Sequence, residues 1–157
     1  AIADLQDYIN HGGLIIFDTR DGRFTADTAP GQTRMQELAG RLKFDALAPL
    51  NQDHVLSRSY YLLNTYPGAY KGPPVWVEQT NQNAYDGAPS VIIGAHDWAT
   101  AWAQYNFDAL GFSNQSGPQL EMAARFGVNL VMLSLTGNYK ADQIHIDNIL
   151  KRIEAND

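Results

Sequence analysis

The chain has 157 residues, 45% of them hydrophobic and 11% aromatic, which suffices for one domain with a buried core and excludes a disordered chain. A formal charge of -6, with 11 Lys and Arg scattered along the chain, excludes the basic footprint of a nucleic-acid binder and disfavours anionic membranes. The absence of cysteine excludes disulfides, thiolate nucleophiles and cysteine-ligated zinc, and leaves the redox compartment open.

Ile2, Leu5, Tyr8 and Ile9 share one helical face, and His11-Gly12-Gly13 supplies the stop. Because the chain opens at Ala1 within or beside this helix, it is expected to be a fragment of a longer protein. Leu14-Ile15-Ile16-Phe17 follows as an uninterrupted apolar strand, a pattern that predicts cover on both faces and a central position in a parallel sheet. Asp18 stands at its carboxyl end. A polar loop over residues 19 to 33 leads to a helix marked by Met35, Leu38, Ala39 and Leu42, and Ser57 to Leu63 reads as a second strand.

The middle of the chain is rich in Gly, Pro and Asn, reads as a surface flap, and contains a small strand candidate, Val75-Trp76-Val77. Ser90 to Gly94 is the third buried strand. Asp97 is placed to cap a helix in which Trp98, Trp102 and Tyr105 fall at core spacing. Gly117-Pro118 opens a long helix, with proline at an early helical position. Its apolar run from Phe126 to Leu135 ends at Thr136-Gly137-Asn138, a helix stop with a left-handed residue. The polar segment Tyr139, Lys140, Asp142, Gln143, His145 follows, and Ile146, Ile149, Leu150 and Ile153 define a terminal amphipathic helix. No apolar run approaches the roughly 20 residues that span a bilayer.

Helices alternating with apolar strands predict an α/β fold with a mainly parallel sheet covered on both faces, in a single domain over residues 1 to 157. Such domains have about five or six strands, so further strands are expected before Ala1. Ligands of these folds bind beyond the strand carboxyl ends, which selects Asp18 to Asp21 and His96-Asp97 for inspection.

Asp18-Thr19-Arg20-Asp21 resembles the strand-end aspartate of haloacid dehalogenase phosphatases, but Arg20 stands where their second carboxylate belongs. Asp18 is more simply read as binding nearby backbone amides to shape its loop. Calcium-loop spacing is absent. His11, His54, His96 and His145 show no adjacent-ligand spacing, although Asp53-His54, His96-Asp97 and His145-Ile146-Asp147 each set a carboxylate beside an imidazole. No G-x-S-x-G elbow exists for a serine nucleophile. Asn129, inside the apolar helix, is read as a hydrogen-bonding anchor for an adjacent loop.

RFGVNLVMLSLTGNYKADQIH, with GGLIIFDTRD, QDHVLSRSYYLL and SVIIGAHDWATAWA, resembles an uncharacterised bacterial domain family found at the C-terminus of membrane-anchored proteins with an aerotolerance-regulator-like membrane region. That family is similar to the class I glutamine amidotransferase-like superfamily. The resemblance implies a three-layer α/β/α, flavodoxin-like architecture, N-terminal strands missing from this chain, a membrane-anchored parent and a periplasmic location. Active amidotransferases carry a cysteine at the elbow that corresponds to Asp18-Thr19, so their cysteine-dependent glutamine hydrolysis is excluded here.

The function expected is therefore a non-catalytic ligand-binding or protein-interaction module, with a carboxylate/histidine hydrolase, metal-assisted or not, as the alternative. A third reading is a structural domain that docks onto its own parent chain. Candidate binding residues are Asp18, Arg20, His54, His96, Asp97, Asn138, Tyr139, Lys140, Asp142 and His145. No catalytic residue, metal ligand or cofactor is assigned. The partners expected are other domains of the parent chain, envelope proteins or a small polar ligand, without nucleic acid or direct membrane insertion.

Overall fold

The computed structural model describes residues 1–24, 30–79, 88–109 and 117–136. Asn138, Tyr139, Lys140, Asp142, Gln143 and His145, the Gly137 helix stop and the terminal amphipathic helix lie outside the described residues, as does most of the Asn-rich stretch.

Helix α1 spans Ile2–Asn10. It ends in two backbone bonds, Gly12 N–H to Ile9 O and Gly13 N–H to Tyr8 O, both 2.9 Å, with Gly12 at φ +83°. This is the Schellman closure, and it needs a residue that enters the left-handed region without a Cβ penalty. The chain then turns directly into β1, Ile15–Asp18. Helix α2 is Pro30–Ala39, followed by β2, Leu47–Pro49, β3, Trp76–Glu78, and β4, Val91–Gly94. Helix α3 is Trp98–Ala109 and α4 is Pro118–Thr136, opening on the proline as its sequence predicts.

The sheet has the order β1-β4-β3-β2. β1 pairs with β4 in parallel, whereas β3 pairs antiparallel with both β4 and β2. The sheet is thus mixed, which corrects the expectation of a mainly parallel one. The connections suit this: no α-helix, the usual parallel crossover, lies between β2 and β3, and only residues 79–90 separate β3 from β4. β1 is likewise not central among the described residues. It has one partner there, and Ile16 is 37% exposed.

Ser57 to Leu63 is not a strand. Val55–Arg58 forms a 3-10 helix, with His54 Nδ1 accepting from Leu56 N–H at 3.1 Å. The residues beyond it find hydrogen-bond partners on α4 instead of a neighbouring strand. Asn129, fully buried, accepts from Tyr61 N–H (2.8 Å) through Oδ1 and donates through Nδ2 to Leu56 O (2.8 Å) and Tyr61 O (2.9 Å). Its own carbonyl accepts from Ser59 Oγ at 2.9 Å. The amide is the anchor that its place in the apolar helix predicts, since an unpaired buried amide costs about 1–3 kcal/mol.

The core lies where α3, α4 and the 3-10 segment meet the sheet. Val77 and Ile92, opposite one another in register, join Leu56, Trp98, Phe126, Leu130 and Leu133 in one cluster. Phe126 packs its ring 5.0 Å from Trp98 and 5.5 Å from Tyr66. α3 is tied to α4 by Trp102 Nε1, which donates to Ala123 O at 2.8 Å. Gly94 is required at the end of β4 because a Cβ there would overlap the Trp98 ring.

Candidate functional site

β1 and β4 run side by side in parallel and end together, Asp18 opposite Gly94. The chain leaves β4 through Ala95-His96-Asp97 and enters α3 at Trp98. Asp18 Oδ1 accepts from His96 N–H and Asp97 N–H, both 3.1 Å, and Oδ2 accepts from Trp98 N–H at 2.7 Å. The first amides of a helix have no intrahelical partner and favour a nearby anion. The neighbouring strand supplies that anion, so the cap of α3 is Asp18 rather than Asp97. Oδ1 also accepts from Arg20 N–H at 3.2 Å, which shapes the loop as expected of this aspartate.

Asp97 instead sits at φ +54° and turns its carboxylate to Arg20, itself at φ +62°. Arg20 Nε lies 3.1 Å from Asp97 Oδ1 as a charge contact without directional hydrogen-bond geometry. The carboxylate is 8% exposed and the guanidinium 66%, so the pair spans the boundary between core and solvent. Asp18, Arg20, His96 and Asp97 therefore come together as the strand-end rule predicts.

His96 is buried and stacks on Trp98 with ring centroids 5.0 Å apart and planes 6° off parallel. Its Nδ1 accepts from Ala95 N–H at 3.2 Å, and backbone groups of Lys71 and Pro73 act on its ring. Burial pushes its pKa below the usual histidine value, against the opposing pull of the Asp18 carboxylate and those backbone groups. Gly72, at φ +54°, lies against this ring, where a Cβ would come within 2.7 Å of it. Tyr70 N–H donates to His96 O at 3.1 Å, so the 68–73 loop is strapped onto the strand end by both the main chain and the ring of one residue.

His54 does not join this group. Its hydrogen bonds are local, to Leu56 N–H and, through its own N–H, to Asn51. Burial, and then the positive charge of Arg58, lower its pKa.

A cavity of about 700 Å3 opens beside the cluster, lined by Thr19, Asp21, Phe24, Met35, Gln36, Pro73, Pro74 and Trp76 among others. The residues lining it thus come from the loop after β1, from α2, from Gly72-Pro73-Pro74, from Trp76 of β3 and from the end of β4, not from Asp18, Arg20, His96 or Asp97. Asp21 is 6% exposed; it takes a very short hydrogen bond from the Thr19 hydroxyl, and its Oδ2 accepts from Gly31 N–H at 2.9 Å. Gly22 N–H donates to Ala95 O at 2.7 Å, holding the loop against β4. Asp21 falls within the strand-end segment that the sequence selects, whereas Trp76, Met35 and Gln36 carry no local signal, because only the sheet order and α2 bring them there.

Another carboxylate acts at the opposite end of the sheet. Glu78, 6% exposed, accepts from Asp45 N–H through Oε1 and from Ser90 N–H through Oε2, each at 2.7 Å. It joins the approaches to β2 and β4 and has no motif around it by which sequence could single it out.

The fold and this site define a mixed α/β domain whose strand-end carboxylate caps a helix beside an open cavity. The chain belongs to a family described as a domain of unknown function (DUF4159), whose pattern matches residues 1–135. A search of curated proteins finds no match to the chain.

Proposed function

We propose that this domain is a non-catalytic binding module that takes a small polar ligand in the cavity beyond the carboxyl ends of β1 and β4. The observation that carries the reading is the employment of Asp18. On the proposed amidotransferase-like architecture this residue corresponds to the nucleophile elbow, and its carboxylate is engaged by the amides of His96, Asp97 and Trp98. Beside it, the cavity combines flat apolar walls from Trp76, Phe24 and the Pro73-Pro74 pair with the polar groups of Thr19, Asp21 and Gln36. Small-molecule sites have that composition, mostly apolar with a few placed polar groups.

The finer architecture we propose is flavodoxin-like, a three-layer α/β/α relative of the class I amidotransferases in which further strands complete the sheet. The parent is proposed to be a membrane-anchored bacterial envelope protein with this domain in the periplasm. No helix among the described residues is long and apolar enough to cross a membrane. Fold likeness alone carries no activity, so the reading rests on the site.

Trp76 is 40% exposed and borders the cavity, which makes tryptophan emission a direct reporter. A panel of nucleosides, amino acids and sugars titrated into the 157-residue chain is expected to yield a saturable emission change that is lost in Trp76→Phe. Turnover of an ester or phosphoester abolished by His96→Gln would instead support the hydrolase reading. Absence of saturable binding across the panel would count against a ligand site.

A further inference from the structure

In α/β folds an anionic ligand is commonly seated on a helix N-terminus beyond the strand ends, where unpaired amides and the helix dipole favour negative charge. Helices α2 and α3 both open beside the end of β1, and the chain's own aspartates reach both openings. At α3 the carboxylate of Asp18 takes the amides of His96, Asp97 and Trp98. At α2, Pro30 has no N–H to offer, and the first amide, that of Gly31, donates to Asp21 Oδ2 at 2.9 Å.

The adjoining cavity of about 700 Å3 carries the same bias. Asp21, 6% exposed, is the only ionisable side chain among its lining residues, so no Lys, Arg or His lines it. The arginines of the loop after β1 are engaged elsewhere. Arg20 Nε lies 3.1 Å from Asp97 Oδ1, and the Arg23 guanidinium lies over the Phe24 and Tyr70 rings, 5.0 and 5.6 Å from their centroids. Residues 25–29 and 80–87, outside the described residues, contain no Lys, Arg or His in their sequence. A phosphate or carboxylate entering the cavity would give up hydration and face a buried carboxylate with no counter-charge on the walls.

The walls select the shape of what enters. Trp76 and Phe24, 40% and 47% exposed, and the Pro73-Pro74 pair present flat apolar faces against which a planar ring can stack. The side-chain amide of Gln36 makes no hydrogen bond to another described residue, and it offers a donor group and an acceptor side by side.

We propose that the cavity takes an uncharged planar heterocycle with a donor and an acceptor on one edge, of the nucleobase, nucleoside or pyridine-amide class. It rejects the same ring once that ring carries a phosphate or a carboxylate. The proposal rests on the cavity being a ligand site, and adds the class of ligand and the selectivity that Asp21 sets.

Matched pairs test it: adenosine against adenosine monophosphate, and nicotinamide against nicotinate, titrated by calorimetry into the 157-residue chain near neutral pH. The uncharged member of at least one pair is expected to bind, and to bind at least tenfold more tightly than its acid. Asp21→Asn is expected to bring that ratio toward unity. Because Asp21 also holds Gly31, Gln36→Lys serves where that variant does not fold, since a cation on the α2 wall is expected to favour the acids in the same way. An acid that binds as tightly as its uncharged partner overturns the proposal and leaves the cavity a ligand site, as does a ratio unchanged in both folded variants. Binding by a sugar or an amino acid, with none by either ring, overturns the planar class alone. If nothing binds, the cavity reading and this proposal fall together.

Discussion

At the scale of single residues, carboxylates and imidazoles that look reactive in sequence are occupied by the backbone. Asp18 accepts the amides that open α3, so its removal leaves buried donors unpaired. Asp18→Ala is expected to cost about 2–4 kcal/mol in urea unfolding, with Asp18→Asn in between, since hydrogen bonds to charged groups contribute about 1.5–3 kcal/mol. A loss under about 0.5 kcal/mol would show the carboxylate to be free for other work. His54, half-buried, and His96, buried, predict a pH dependence. Burial lowers the pKa of both His54 and His96 in the folded chain, so the unfolded chain takes up their protons first as pH falls. Their contribution is complete above the unfolded value near 6.5 and declines below it. The slope is at most about 1.4 kcal/mol per pH unit for each histidine, and ends once the folded pKa is passed. Chemical denaturation from pH 8 to pH 5 measures it, and His96→Gln is expected to flatten the decline. An unchanged slope in that variant would contradict the assignment.

At the scale of elements, α4 is the organiser. Ala123, Phe126, Leu130 and Leu133 bury one stripe of it, and Asn129 projects from that stripe to hold the 55–61 segment. This explains why Ser57 to Leu63 misleads as a strand: Leu63 is a core residue and Tyr61 packs against the core, Tyr60 and Leu62 are exposed, and the main-chain partner of Tyr61 is a side chain far along the sequence. Asn129→Leu is expected to lose about 3 kcal/mol and to raise hydrogen exchange at Tyr61 well above that of α4 itself. Equal exchange at both places would mean that the amide is not the anchor. Gly94 is a matching case on the sheet. Gly94→Ala is expected to displace the Trp98 ring and lower the thermal midpoint, an outcome that near-ultraviolet dichroism reports directly.

At the scale of the whole molecule, strands of three or four residues cannot by themselves hold a sheet, and stability rests on the cluster shared by the sheet, α3, α4 and the 3-10 segment. Phe126→Ala, at its centre, is expected to cost about 3–5 kcal/mol. Val131→Ala, one turn on along the exposed stripe of the same helix, is expected to cost under about 0.5 kcal/mol in the isolated chain. Denaturant midpoints of the two variants test this, and similar losses would mean that the Val131 side of α4 is already covered.

Much of the local structure was legible in the residues themselves. Hydrophobic spacing located α1, α3 and α4, Gly12-Gly13 and Gly117-Pro118 marked where helices stop and start, and the apolar runs before Asp18 and Gly94 marked β1 and β4. These signals are local because they arise from backbone sterics and from burying one face of one element. The strand-end rule also gathered Asp18, Arg20, His96 and Asp97 correctly, since parallel strands that pair in register must end together. Pairing direction, the edge position of β1 among the described residues, the short β2 and the true path of Ser57 to Leu63 were settled elsewhere. They depend on which distant group satisfies each buried N–H and C=O, and a composition of apolar and polar residues does not name that partner. For the same reason sequence does not show that Leu56 N–H takes the His54 ring apart from the strand-end group. Sequence alone determined the helices, β1 and β4 and ruled out cysteine chemistry; tertiary structure decided how polar groups are satisfied, because hydrogen-bond satisfaction is a property of the assembled chain.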